Sequence, residues 1–252
     1  DLIVVHGDRL EALAGASAGM FNNILVAHIE GGELSGTVDD SLRHAISKLS
    51  HLHFVSNISH KKRLIQLGEH KNKIFVIGSP DIDIMQSKTL PNISDVKKMY
   101  GIKFSEYSIL IFHPVTTEYS KIDNQAEILI KALKKSERKY IVINPNNDLG
   151  SEFIFKKYSK LKKDKSFKIF ESMRFEYFLT LLKNSKFIIG NSSAGIKEAP
   201  FYGIPAINIG TRQYNRFSSE LIQNINFNER RILNSIETTL KLRKRKKNSF
   251  FG

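Results

Sequence analysis

Along the chain, short runs of apolar, often β-branched residues alternate with stretches in which apolar positions recur every three or four residues. The runs predict strands at residues 2–6, 24–29, 52–56, 74–77, 108–112, 140–144, 167–170, 187–189 and 206–209. The stretches between them predict helices, among them 11–21, 40–51, 59–67, 124–135, 175–182 and 195–202. Strands with one wet face alternate apolar and polar residues. These are apolar nearly throughout, so the pattern predicts parallel sheets covered on both faces. Strands interleaved with helices in this way make an α/β architecture.

Gly78-Ser79-Pro80 closes the fourth strand, and the stretch 81–107 has no strand run and is rich in Lys, Asn and Ser. The expected organisation is a first domain over residues 1–85, a linker over 86–105 and a second domain over 106–252. The chain opens inside a strand and stops just after a basic helical pattern, and four strands make a thin first sheet. Elements are therefore expected to be missing at both ends.

Composition leaves this picture in place and narrows the partners. The 252 residues are 41% hydrophobic and 25% charged, an ordinary globular balance. No apolar run is long enough for a membrane span, so no membrane partner is expected. The absence of cysteine rules out disulfides, thiol catalysis and Cys-ligated zinc within these residues, and it fits a reducing cytoplasm. The formal charge of +14 invites a nucleic-acid reading, but it is not spread evenly. Residues 1–100 hold 11 Lys+Arg and 11 Asp+Glu, whereas residues 101–252 hold 28 and 14. Much of the excess lies in residues 156–168 and 241–247. Solvated helix faces and a chain end explain it better than a nucleic-acid surface.

Candidate chemistry collects where the strands end. In parallel α/β sheets, ligands bind beyond the carboxyl ends of the strands. Those ends here carry His6-Gly7-Asp8-Arg9, Glu30-Gly31-Gly32-Glu33, His113-Pro114, Asn144-Pro145-Asn146-Asn147, Gly190-Asn191-Ser192-Ser193 and Gly210-Thr211-Arg212-Gln213. Six such exits make a cleft between two domains the expected site. The turn Gly190–Gly195 suits a phosphate at a helix start, and equally suits capping by Asn191 or Ser192. Glu198, five residues past Ser193, would repel phosphate; it suits a ribose diol, or the helix dipole. Thr37-Val38-Asp39-Asp40 reads as a helix start, and Arg43 at i+4 from Asp39 reads as a surface ion pair. Asp8 and Glu30 end adjacent strands, an arrangement that can push two carboxyl pKa values apart into an acid and a base. His51 and His53 read as satisfied imidazoles. No HExxH, GxGxxG or P-loop pattern appears, so neither a metal nor a nicotinamide or ATP site is expected.

Six segments together resemble a known family: HGDRLEALA, HIEGGELSGTVDDSLRHAISKLSH, FHPVTTE, NPNNDLGS, GNSSAGIKEA and INIGTRQ. In this order they resemble the hydrolysing UDP-N-acetylglucosamine 2-epimerases, both the bacterial sialic-acid-pathway enzymes and the epimerase half of the bifunctional animal enzyme. The resemblance implies two Rossmann-like parallel-sheet domains facing across a cleft, as in GT-B glycosyltransferases, with the nucleotide held mainly by the second. It implies UDP-GlcNAc and water as substrates, N-acetylmannosamine and UDP as products, no cofactor, and a homodimer. On it, Asp8, Glu30 and Asp39 match the catalytic carboxylates, and Arg43 and His113 match positions near the diphosphate and reacting sugar. Arg9, Asn146, Ser192, Ser193, Glu198 and Arg212 match nucleotide contacts, and Met173 with Phe175 matches the place of the uracil. The chain departs from the family in lacking its first βα units, which carry a Gly-Thr/Ser-Arg-Ala-Asp motif, and its returning C-terminal helix. If these 252 residues were the whole polypeptide, weakened activity would be expected.

Three other activities compete. A non-hydrolysing 2-epimerase would return UDP-N-acetylmannosamine, and a legionaminic-acid-pathway relative would act on a 2,4-diacetamido-6-deoxy sugar nucleotide. A GT-B glycosyltransferase would need an acceptor and would not need three carboxylates around C2.

Overall fold

The computed structural model describes residues 1–34, 38–213 and 219–241. Contacts divide the chain into two units, with the boundary between Gln86 and Ser87. Thr37 and the basic residues after Lys241, both noted above, lie outside the described residues.

The first unit runs β1 (Leu2–His6), α1 (Leu10–Phe21), β2 (Leu25–Ile29), α2 (Val38–Lys48), β3 (Leu52–Val55), α3 (Ile58–Gln66), β4 (Ile74–Val76) and α4 (Pro80–Gln86). Its strands are parallel, in the order β1-β2-β3-β4. On one face Ile3, Val5 and Val26 pack under α1 and α2 through Ala12, Ala16 and Ile46. Val55 and Ile74, further along that face, meet Leu64 of α3. The opposite face corrects the expectation of a sheet covered on both sides. There Leu2, Val4, Leu25 and Phe75 are exposed, because α1, α2 and α3 all lie on the first face. Continuous apolar strands therefore did not imply two covered faces within these residues.

The second unit runs α5 (Ile93–Met99), β5 (Ser108–Ile111), α6 (Ile122–Lys135), β6 (Tyr140–Ile143), α7 (Ser151–Ser159), β7 (Phe167–Phe170), α8 (Phe175–Lys183), β8 (Ile188–Gly190), α9 (Glu198–Phe201), β9 (Ala206–Ile209), β10 (Ile222–Ile225) and α10 (Glu229–Lys241). All six strands are parallel, in the order β10-β9-β8-β5-β6-β7. Helix α6 forms because Ile122, Ala126, Leu129 and Leu133 recur on one side and are buried there. They join Leu110, Phe112, Val142 and Ile207 in one core, to which α10 adds Ile232 and Ile236.

Three expectations change in this unit. Residues 86–105, read as a linker, hold α5, which Asn92 caps through the Ser94 N–H at 3.0 Å. That helix packs on α8, and the Thr180 hydroxyl of α8 donates to Pro91 O at 2.9 Å. Residues 87–105 therefore belong to the second unit. The helix expected over 195–202 is split into a 3-10 turn, Ser193–Gly195, and the short α9. Pro200 has no N–H to bond backwards, so the helix restarts at Glu198, where the proline falls in a first turn that needs no such donor. Strand β10 was missed because an edge strand with two polar residues gives a weak apolar signal.

The close seating of β8 on β5 depends on Gly190. Its φ is +133°, and a Cβ there would lie 1.9 Å from Ile111 O. Elsewhere, Lys157 in the lysine-rich stretch 156–168 pairs with Asp123 and Glu127 at 3.1 and 2.8 Å, so part of the positive excess is balanced within the second unit.

Candidate functional site

In the first unit, strand adjacency brings Asp8, after β1, and Glu30, after β2, to neighbouring strand ends. Glu30 sits in the left-handed region, φ +65°, a conformation that costs a side-chain-bearing residue energy and is kept where the surroundings enforce it. Its N–H donates to Phe54 O at 2.8 Å. One carboxylate oxygen accepts from the Ser79 hydroxyl, and the other lies 3.1 Å from His6 Nε2. The His6 side chain is 48% exposed and that of Glu30 only 10%. The imidazole thus links a buried carboxylate to solvent.

Asp8 is held differently. Arg43, on α2, is 2% exposed and reaches the Asp8 carboxylate through Nη2. Its Nη1 donates to Glu33 O at 2.9 Å and to Asp40 Oδ1 at 3.1 Å. The expected surface pair with Asp39 is therefore corrected: Arg43 is buried, and its helical partner is Asp40 at i−3. Helical spacing alone could not choose between them, because the reach of Arg43 toward Asp8 turns the guanidinium to the Asp40 side. Asp39 is half-buried in the first turn of α2, and Arg9 is exposed where α1 begins.

His28 ties these pieces together. It is fully buried; its Nε2 donates to Gly7 O at 2.8 Å, and its Nδ1 lies 3.0 Å from the Ser47 hydroxyl. A carbonyl can only accept, so Nε2 carries the proton and Nδ1 accepts from Ser47. Burial above all lowers its pKa to about 4. His51 accepts the Val26 N–H at 3.1 Å and is satisfied as expected, whereas the buried His53 is bonded to Glu69 at 3.2 Å through Nε2 but leaves its Nδ1 without a hydrogen-bond partner among the described residues. The folded state refuses a proton at His28 that the unfolded chain accepts below about pH 6.5. Stability is full above that pH and falls as pH drops toward 4, by about 3 kcal/mol for this group. Denaturant unfolding of wild type and His28→Gln at neutral pH and near pH 5 checks this. The gap between the two proteins should narrow in acid, and a constant gap would refute it.

In the second unit, β5 lies between β6, its successor, and β8, so the chain changes direction across the sheet at the β5–β8 boundary. That switch point is where such sheets open a crevice, and His113 and Asn191 stand on its two sides. Asn191 is 1% exposed. Its Oδ1 accepts the His113 N–H at 2.7 Å, and its Nδ2 donates to His113 O at 2.8 Å. Its own carbonyl accepts from Gln213 Nε2 at 3.0 Å and Arg212 Nη1 at 3.3 Å. One side chain and one carbonyl thus lock three strand exits together. The Asn146 N–H, from the β6 exit, donates to His113 Nδ1 at 3.1 Å.

Ser192 caps the 3-10 turn by accepting the Ala194 N–H at 3.3 Å, so the capping use is real; Ser192 and Ser193 also remain half-exposed at the switch point. Glu198 is buried on α9 beside Tyr202, whose hydroxyl is pushed up to about 12 by burial and then by the Glu198 charge. Met173 is half-buried at the β7 exit, and Phe175 opens α8 with its ring 6.4 Å from Phe178. A cavity of about 800 Å³ opens beside α7, β6 and β7, lined by Tyr158, Lys162 and Lys168 among others; of the six candidate strand exits it touches the β6 exit through Asn144, Pro145 and Asn147. Among the described residues, no group of three or more His, Asp or Glu side chains is placed to hold a metal ion.

Two residues carry weight that the sequence reading did not give them. Asn191 was read only as a possible cap. Ser79 stands at the β4 exit, where the strand-end rule also applies, and it donates to Glu30.

Comparison with known proteins bears on what such a chain is. A profile of the family described as UDP-N-acetylglucosamine 2-epimerase matches residues 1–252. A UDP-N-acetylglucosamine 2-epimerase of Neisseria meningitidis serogroup B is 52% identical over 244 residues, covering 97% of this chain and 64% of that protein. A UDP-N,N'-diacetylbacillosamine 2-epimerase (hydrolyzing) of Legionella pneumophila is 37% identical, covering 100% of this chain and 67% of that protein. The chain thus spans about two thirds of the length of these relatives. The crystal structure of Methanocaldococcus jannaschii UDP-GlcNAc 2-epimerase, in complex with UDP-GlcNAc and UDP, matches with a TM-score of 0.79 at 22% identity, over 100% of this chain and 72% of that one. At that identity the likeness speaks for the fold: α/β, with two parallel sheets, as in those epimerases. From the family profile and the Neisseria relative together, the chain belongs to the UDP-N-acetylglucosamine 2-epimerase family.

Proposed function

We propose that this chain serves a hydrolysing 2-epimerase, which converts UDP-GlcNAc and water into N-acetylmannosamine and UDP for sialic acid or a related nonulosonic acid. The observation that carries this reading is the pair of carboxylates at adjacent strand ends, Asp8 on Arg43 and Glu30 between His6 and Ser79. The C2–H of the sugar is weakly acidic, so the reaction needs a positioned carboxylate to take that proton while the C1–O bond to UDP breaks. The electron pair forms the C1=C2 double bond of 2-acetamidoglucal, and UDP leaves as an anion. Water then adds its oxygen to C1 while a proton returns to C2 on the opposite face. Asp8, Glu30 and Asp39 supply the carboxylates in this proposal, and Arg43 and His113 face the developing charge. Arg9, Asn146, Ser192, Ser193, Glu198 and Arg212 hold the nucleotide, with uracil near Met173 and Phe175.

The hydrolysing outcome draws support from the name that the Legionella relative carries, and the UDP-GlcNAc substrate from that of the Neisseria relative at higher identity. The same Legionella name favours a second reading, a diacetamido sugar nucleotide as substrate. Proton NMR of turnover in D2O separates these. UDP-GlcNAc should give free N-acetylmannosamine carrying deuterium at C2, with UDP released. UDP-N-acetylmannosamine without free sugar would replace the proposal with the non-hydrolysing reaction, and turnover of the diacetamido substrate alone would select the second reading.

A further inference from the structure

We propose that His113 is locked as the neutral tautomer with its proton on Nε2, and that it serves as a fixed hydrogen-bond donor rather than as a group that transfers protons. The tautomer follows from one bond: Nδ1 lies 3.1 Å from the backbone nitrogen of Asn146 and accepts its N–H. A backbone amide donates and never accepts, so Nδ1 is the unprotonated nitrogen and Nε2 bears the hydrogen. Protonating Nδ1 would set two N–H groups against each other and place a charge on a residue only 8% exposed.

The backbone that carries the ring is held as well. Asn191 grips both the N–H and the C=O of His113, at 2.7 and 2.8 Å, with Asn191 itself buried. The β8 exit therefore fixes the backbone that carries the imidazole, and the β6 exit holds the ring through Nδ1 and fixes which nitrogen carries the proton. Both flank β5 in the sheet, so the two constraints belong to the strand order at the switch point. A general acid there would have to start as imidazolium, which the Asn146 bond opposes. A rigid neutral donor instead suits an anionic oxygen, such as that of a phosphoryl group, where charge grows as a bond to it breaks. Preorganised donors of this kind stabilise such charge without moving a proton. The ligand part of this inference rests on the proposed function; the tautomer does not.

Two measurements test it. Long-range proton–nitrogen NMR on protein with 15N-labelled histidine, at neutral pH and with His113→Asn for assignment, should show a protonated Nε2 and an unprotonated, acceptor-type Nδ1. A protonated Nδ1, alone or together with Nε2, overturns the proposal. In turnover, His113→Gln places an amide N–H near the position of Nε2 and should stay within about tenfold of wild type in kcat. His113→Ala should lose about 10²–10³-fold in kcat with KM changed only a few fold. If both variants melt like wild type and fall equally far, the donor role is wrong. If wild type leaves UDP-GlcNAc untouched, the proposed function fails, and the NMR result still decides the tautomer.

Discussion

Glu30→Gln is expected to lower turnover of UDP-GlcNAc by about 10²–10⁴-fold while leaving the fold intact. The substitution keeps the shape of the side chain. Its amide oxygen can still accept from the Ser79 hydroxyl, and its NH2 can donate to His6 Nε2, so the contacts to Ser79 and His6 survive. What disappears is the negative charge and the capacity to take up a proton. The backbone at φ +65° is as costly for glutamine as for glutamate, so strain does not change either. Kinetics with melting curves alongside would check this. Turnover within a few fold of wild type would remove Glu30 from the chemistry, and a parallel loss of melting temperature would reassign it to structure.

Arg43→Ala is expected to destabilise the first unit by about 3 kcal/mol. Breaking a buried pair by removing one partner costs about 3–5 kcal/mol, because the remaining charge is left uncompensated. The lower end applies because the Asp8 and Asp40 side chains are 24% and 20% exposed, so water can reach part of each carboxylate. The loss also removes a donor from Glu33 O in the segment after Gly32. Arg43→Lys should recover only part of the stability, since a point ammonium does not reproduce the planar fork that spans three acceptors. Denaturant midpoints for the three proteins measure it. A change below about 0.5 kcal/mol for the alanine variant would return Arg43 to the surface-pair reading.

These two residues show where reading from sequence stops. Glu30 could be picked out because it ends an apolar run before Gly31-Gly32, yet nothing in its neighbourhood pointed to Ser79, 49 positions away. Arg43 was singled out by helical spacing, which proposed Asp39; the helix offered Asp40 as well, and the choice was made by Asp8, 35 positions earlier. In the second unit, the strands at 108–111, 140–143 and 206–209 were legible because buried parallel strands are apolar in nearly every position. Strand β10 and helix α5 were not, since an edge strand and a short capped helix bury too few residues to leave a pattern.

The sequence by itself determined which residues stand at strand ends, because strand and turn are local matters of side-chain volume, branching and glycine placement. That was enough to gather Asp8, Glu30, His113, Asn146, Ser192 and Arg212 as candidates. Only the tertiary structure decided who touches whom. Placing β5 between β6 and β8 is a non-local choice, and it alone brings Asn146 and Asn191 onto His113 from opposite sides. Spacing along the chain carries no record of strand order. The protonation state of His113, like the burial of Arg43 and the depressed pKa of His28, is therefore a property of the packed sheet and not of any segment within it.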